Sequence, residues 1–142
     1  MSTLSVNTIK SLNTNGPVFQ NSSGTEKGRL AKAYVNFDGG FGTSPFTIAN
    51  GGIRTAYNVT SVTDTAKGRY TINFVSGTFT NINYIAAGIA GNYNATTTNV
   101  FGIMPDGTRT VTAFPIRVRG GGEPADKPDT NLVFFGDHLY YF

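Results

Sequence analysis

Residues 60–74 read Thr60-Ser61-Val62-Thr63-Asp64, then Thr65-Ala66-Lys67-Gly68, then Arg69-Tyr70-Thr71-Ile72-Asn73-Phe74. β-Branched and aromatic side chains fill both arms, and such residues suit a pleated, half-buried surface. In the second arm the period is two, so Tyr70, Ile72 and Phe74 share one face while Thr71 and Asn73 take the other. The four residues between the arms end in glycine, where a hairpin needs a positive φ. The reading is an antiparallel hairpin with one apolar face, and that face needs a second layer to cover it.

The same alternation continues on either side. Ala33, Val35 and Phe37 interleave with Tyr34 and Asn36 before Asp38-Gly39-Gly40 turns the chain. Residues 45–48 and 53–62 read as further extended stretches, parted by Asn50-Gly51-Gly52. Residues 82–89 are almost continuously apolar, which predicts a strand covered on both faces. Residues 100–104 lead into Pro105-Asp106-Gly107, a turn in which proline presets φ and glycine accepts a left-handed conformation. Phe114, Ile116 and Val118 then alternate with Arg117 and Arg119, residues 120–128 read as a loop, and residues 132–135 return to an apolar strand. Roughly eight short strands with turn signals between them predict an all-β, antiparallel sandwich or barrel-like domain over residues 31–142. Residues 1–30 read as an extended N-terminal arm, polar and turn-rich, with Leu4, Val6 and Ile9 among its few apolar anchors.

Length and composition narrow the chemistry. The chain has 142 residues, enough for one domain with its own core. It carries 11 Lys+Arg against 8 Asp+Glu, and its charged fraction of 13% is about half the usual share. Polarity comes from Thr, Asn and Ser instead, a surface that suits life inside an assembly. The cysteine count of 0 excludes zinc ribbons, iron–sulfur ligation, thiol nucleophiles and disulfide scaffolds. His138 stands alone, one residue past Asp137, and lacks the further ligands of a metal site. No apolar run reaches the length of a membrane-spanning helix, and the first residues carry no secretory signature, so neither membrane insertion nor a cleaved leader is expected.

No catalytic constellation is legible, and no cofactor is expected. Asp38, Asp64, Asp106, Asp126, Asp129 and Asp137 fall almost entirely in turns, where aspartate serves the backbone, and Glu26 and Glu123 are isolated. The glycine runs at residues 39–42 and 120–122 lack the Lys-Ser/Thr and the helix of a phosphate-binding loop. Arg109, Arg117 and Arg119 carry the basic excess of the second half, but a net charge of +3 gives too little cationic density for a nucleic-acid surface. They are retained as candidate binding residues with Asn92, Tyr93 and Asn94, whose rings and amides suit a glycan. Tyr57 is of the same kind. Phe134, Phe135, Tyr140, Tyr141 and Phe142 are too many aromatics for one small core and are expected at a subunit interface, with Leu4, Val6 and Ile9 of the arm.

Two groups of residues resemble a known family. The opening Ser2-Thr3-Leu4-Ser5-Val6-Asn7-Thr8-Ile9 is similar to the start of many fibre and virion proteins of tailed bacteriophages, especially marine and cyanobacterial phages. Residues 32–39, 53–64 and 68–74 resemble a module of the same proteins: aromatic-Val-Asn-Phe-Asn/Asp-Gly, then aromatic-Asn-Val-Ser/Thr-Ser-Ile/Val-Thr-Asp, then Gly-x-Tyr-Thr-Ile/Val-x-Phe. The first aromatic, tryptophan in that pattern, is Tyr34 here. The resemblance implies a non-enzymatic virion protein of a tail fibre or fibre tip, β-rich and homotrimeric, that attaches the particle to a host glycan or protein. Its arm would bind other virion proteins. A capsid decoration protein that stabilises the shell is the alternative within the virion.

Overall fold

Alternation of buried and solvent-facing side chains builds most of the strands. A computed structural model describes residues 18–20, 22–23, 26–92, 101–120 and 122–136, with the backbone alone for residues 18–20 and 26–29. Among these residues the fold is all-β, without a helix. The chain divides into two compact units, Met1–Leu30 with His138–Phe142, and Ala31–Asp137. In the first, β1 (Val18–Gln20) pairs antiparallel with β2 (Glu26–Arg29).

The second unit holds β3 (Ala33–Phe37), β4 (Ile53–Tyr57), β5 (Val59–Ala66), β6 (Arg69–Phe74), β7 (Ile85–Gly91), β8 (Gly102–Pro105), β9 (Ala113–Gly120), β10 (Glu123–Pro124) and β11 (Asp129–Phe135). They form two antiparallel sheets packed as a sandwich. One has the order β4-β3-β11-β7; the other runs β10-β9-β6-β5, with β8 also pairing β9. The last strand, β11, fills the centre of the first sheet between β3 and β7.

The predicted hairpin is β5 and β6, with Val62 opposite Ile72 and Gly68 at φ 64° in its turn. Tyr70, Ile72 and Phe74 face inward and meet Val35, Phe37, Leu132 and Phe134 of the other sheet, while Phe114, Ile116 and Val118 extend the same layer from β9. The aromatics interlock edge to face: the Phe74 ring lies 4.9 Å from that of Phe134 and 4.8 Å from that of Phe79.

Two asparagines shape the crossings. Residues 53–62 are not one extended stretch, because Asn58 takes φ 55° and passes the chain from β4 in one sheet to β5 in the other. Its side-chain amide donates to Lys32 O at 2.7 Å, which fixes that corner. Asn50 organises the preceding turn, accepting from Thr47 N (2.8 Å) and Gly52 N (3.1 Å) and donating to Pro45 O (2.8 Å).

Two expectations are overturned. The apolar strand β7 is not covered on both faces, since Ile85 is 66% and Ile89 70% exposed. Its inner side is closed by β8 and β11: a Cβ on Gly88 would stand 3.1 Å from both Ile103 Cδ1 and Leu132 Cγ. Small residues therefore turn inward and the isoleucines turn out. Phe134, expected at a subunit interface, is fully buried in the core, because on β11 it shares the inward face with Leu132.

Candidate functional site

The outward face of the β4-β3-β11-β7 sheet is half apolar and half polar. Strand register sets its rows. Tyr57, Tyr34, Val133 and Ala87 lie side by side across the four strands, and Phe135 pairs with Ile85 in the next row. Tyr34 and Tyr57 are both exposed and stack with ring centroids 5.9 Å apart. Beside them, Tyr34, Val133, Ala87 and Ile89 line an open groove of about 440 Å³, with Asn36, Thr55 and Asn131 along its polar side.

The polar half is a connected ladder. Asn36 Nδ2 donates to Asp129 Oδ1 (2.6 Å) and to Asn131 Oδ1 (2.5 Å), and Asn131 Nδ2 donates to Asp129 Oδ1 (3.0 Å). Arg54 spans Asn36 Oδ1 (3.3 Å) and Asp38 Oδ2 (3.2 Å). The ladder holds both signs of charge and turns amide and carboxylate groups toward solvent. With the groove beside it, the face offers an aromatic and aliphatic surface bordered by donors and acceptors.

The face of the other sheet carries hydroxyls and arginines. Asn73 Nδ2 donates to Ser61 Oγ and Thr63 Oγ1, both at 3.0 Å. Arg69 on β6 lies opposite Arg117 on β9, and Asp106 takes both: Arg69 Nε is 3.5 Å from Oδ2, and an Arg117 Nη2 bond reaches Oδ1. Arg119 follows on the same strand and donates through Nη2 to Gly122 O.

The candidate residues named from sequence are thus dispersed. Arg117 and Arg119 share one outward face, as their alternation indicated. Arg109 is engaged elsewhere: its Nη1 donates to Tyr84 O at 3.0 Å, and its guanidinium lies 5.4 Å from the Phe114 ring centroid and 5.6 Å from that of Tyr84. That arginine clamps the core edge, apart from Arg117 and Arg119. Asn92 is exposed just past β7, and Phe135 is exposed at the end of β11. Tyr93, Asn94, Tyr140, Tyr141, Phe142, Leu4, Val6 and Ile9 lie outside the described residues. Tyr34 and Arg69, which the sequence did not single out as candidates, belong to these surfaces; their pairing with Tyr57 and Arg117 depends on strand register.

One further cluster sits at an end of the sandwich. The Tyr70 hydroxyl is 2.7 Å from Asp126 Oδ1 and 3.0 Å from Gly39 O, and Asp126 Oδ1 also accepts Gly68 N at 2.6 Å. Burial first, then the hydrogen bond to Asp126, hold the Tyr70 phenol well above its ordinary range. Burial, followed by the Asp126 charge, raises the Asp64 carboxyl. The cluster ties three turns together.

Among the described residues, no group of three or more His, Cys, Asp or Glu is placed to hold a metal ion, and no helix is long and apolar enough to cross a membrane. Compared with protein-family models, curated proteins and solved structures, the chain matches none.

Proposed function

We propose that this chain is a non-enzymatic structural protein of a tailed-bacteriophage virion, a tail-fibre or fibre-tip module that attaches the particle to its host. The observation that carries the reading is the outward face of the β4-β3-β11-β7 sheet, where Tyr34, Tyr57, Ile85, Ile89 and Phe135 are all exposed on one side. Large contiguous apolar patches on a soluble domain mark interaction surfaces. The resemblance of residues 32–39, 53–64 and 68–74 to a module of phage fibre proteins supports the same reading, and its apolar positions Val35, Phe37, Val62, Tyr70, Ile72 and Phe74 lie in the core behind that face.

The occupant is a second copy of the chain, in a homotrimer. The face offers rings and aliphatic groups beside a ladder that carries both Arg54 and the carboxylates Asp38 and Asp129, so it repels neither sign. Strand β4, at one edge of the sheet, pairs only with β3 among the described residues. Packing between subunits also protects such an edge from unwanted strand pairing.

Two measurements test this. Antibody-gold labelling of intact virus particles should decorate the tail appendages. Gold over the head would instead make the protein a capsid decoration protein, and an unlabelled particle would refute a virion role. In sedimentation equilibrium the purified chain should be trimeric, and Ile89→Lys, at an exposed position that leaves the core untouched, should shift it to monomer. A trimer indifferent to both Ile89→Lys and Tyr34→Glu would move the interface to another surface.

A further inference from the structure

Arginine placement on the second sheet is the least economical feature of this charge-poor chain. Arg69 and Arg117 are cross-strand neighbours, and Arg119 lies two residues along from Arg117 on the same side. Like charges directly opposite one another destabilise a sheet. Among the described residues only Asp106 forms ion pairs with them, and it takes Arg69 and Arg117, which leaves Arg119 without a carboxylate partner there. Glu123, across from Gly120 at the end of β9, is exposed and forms no ion pair among the described residues.

The hydrogen bonding is also incomplete. Arg117 Nε and Arg119 Nε are buried and have no partner among the described residues. Buried donors are nearly always satisfied, so an unmet one calls for an explanation. Both Nε groups lie in long side chains on the outward face, and Arg69 remains 45% and Arg117 23% exposed. Each of these guanidiniums is engaged through Nη2 alone, Arg117 to Asp106 and Arg119 to Gly122 O.

From this geometry we infer that Arg69, Arg117 and Arg119 form a binding site for the carboxylate or sulfate groups of an acidic glycan. Guanidinium forks present two parallel N–H donors and bind a pair of oxygens of a carboxylate or a tetrahedral oxyanion through paired hydrogen bonds. The surroundings favour a sugar over other polyanions. Next to the arginines the same face presents Ser61, Thr63, Thr71 and Asn73, groups that exchange hydrogen bonds with sugar hydroxyls. The face carries no exposed aromatic ring among the described residues, whereas single-stranded nucleic acid is held by base stacking on such rings. The inference deepens the attachment reading by naming what the module would hold, and it rests on that reading for its biological setting.

The test is calorimetric titration of the full chain with oligogalacturonate, beside a neutral maltooligosaccharide, oligothymidylate and oligoglutamate of similar length. Saturable oligogalacturonate binding is expected, weakening as salt rises, with the neutral sugar inert and the other two polyanions bound at least tenfold more weakly. Arg117→Gln/Arg119→Gln should lose at least tenfold in affinity. Arg69→Gln, which leaves Asp106 its Arg117 partner, should lose less and serves if the double variant unfolds. The inference is overturned if oligogalacturonate does not bind, if these variants bind it unchanged, or if oligothymidylate or oligoglutamate binds as tightly. Gold labelling fails or succeeds independently: a virion protein without polyuronate affinity refutes only the ligand, and polyuronate affinity without virion labelling refutes only the setting.

Discussion

Replacing Tyr70 by phenylalanine removes one oxygen from the point where three turns are tied together. The ring keeps its place against Phe37, with centroids 5.1 Å apart, so packing is preserved and the loss is confined to hydrogen bonding. The hydroxyl carries one proton, and its nearer acceptor is the Asp126 carboxylate at 2.7 Å, with Gly39 O at 3.0 Å. A hydrogen bond to a charged group contributes about 1.5–3 kcal/mol. Because Asp126 is exposed, water replaces part of it, and about 2 kcal/mol is expected at neutral pH, a fall in Tm of roughly 6–10 °C for a domain of this size. Asp126→Asn keeps an oxygen acceptor and should cost about 1 kcal/mol, with the double variant less destabilised than the sum. A second signature comes from titration. The folded phenol is held above its ordinary range, so its contribution is complete below the unfolded pKa of about 10 and is lost as pH rises beyond it. By pH 11 the wild type should have lost about 1.4 kcal/mol through this group, and Tyr70→Phe should be spared that loss. Urea unfolding from pH 7 to 11 reads both effects. A neutral-pH difference below about 0.5 kcal/mol, or equal alkaline slopes in the two proteins, would refute the reasoning.

Other substitutions separate steric from conformational effects. Gly68→Ala should cost more than about 2 kcal/mol, because the new Cβ would stand 2.5 Å from Ala125 N and 2.7 Å from Val118 O at a positive φ. Gly77→Ala, also at positive φ but with nothing within 4 Å, should cost only about 1 kcal/mol, and denaturant midpoints distinguish the two. Phe134→Ala should lose about 3–5 kcal/mol of stability, whereas Phe135→Ala should leave unfolding within about 1 kcal/mol and weaken self-association in sedimentation instead. The raised Asp64 carboxyl favours the fold at acid pH, and that contribution fades as pH climbs through the folded pKa. Asp64→Asn should therefore be more stable relative to wild type at pH 7 than at pH 3, as urea unfolding at the two values would show.

How much of this was legible depends on how sharply each strand distinguishes its two faces. In β6 one set of alternate residues is apolar and the other is Arg, Thr and Asn, and in β9 Arg117 and Arg119 alternate with Ile116 and Val118, so the inward face could be read directly, and the glycine at position 68 marked the turn. The break at Asn58 was not legible, because Tyr57 and Val59 continue a β-forming run and only the left-handed asparagine between them divides it. Strands β7 and β11 defeated the same reading for a different reason. In β11 both Leu132/Phe134 and Val133/Phe135 are apolar sets, and period two alone cannot choose which turns inward. The choice was made by the opposite layer: Phe74 and Phe114 receive Phe134, with ring centroids 4.9 and 5.6 Å away.

That ambiguity bears on function. A strand needs only one apolar face to join a two-layer sandwich, so a strand apolar on both faces presents more hydrophobic surface than its own core can use. In β7 and β11 the surplus falls on Ile85, Ile89, Val133 and Phe135, and register places Tyr34 and Tyr57 beside it. Of the aromatics expected at an interface, Phe134 serves the core, and the row of residues turned the other way, with Phe135, is the one left exposed. Sequence shows that both faces are apolar; only the facing sheet shows which one is left uncovered.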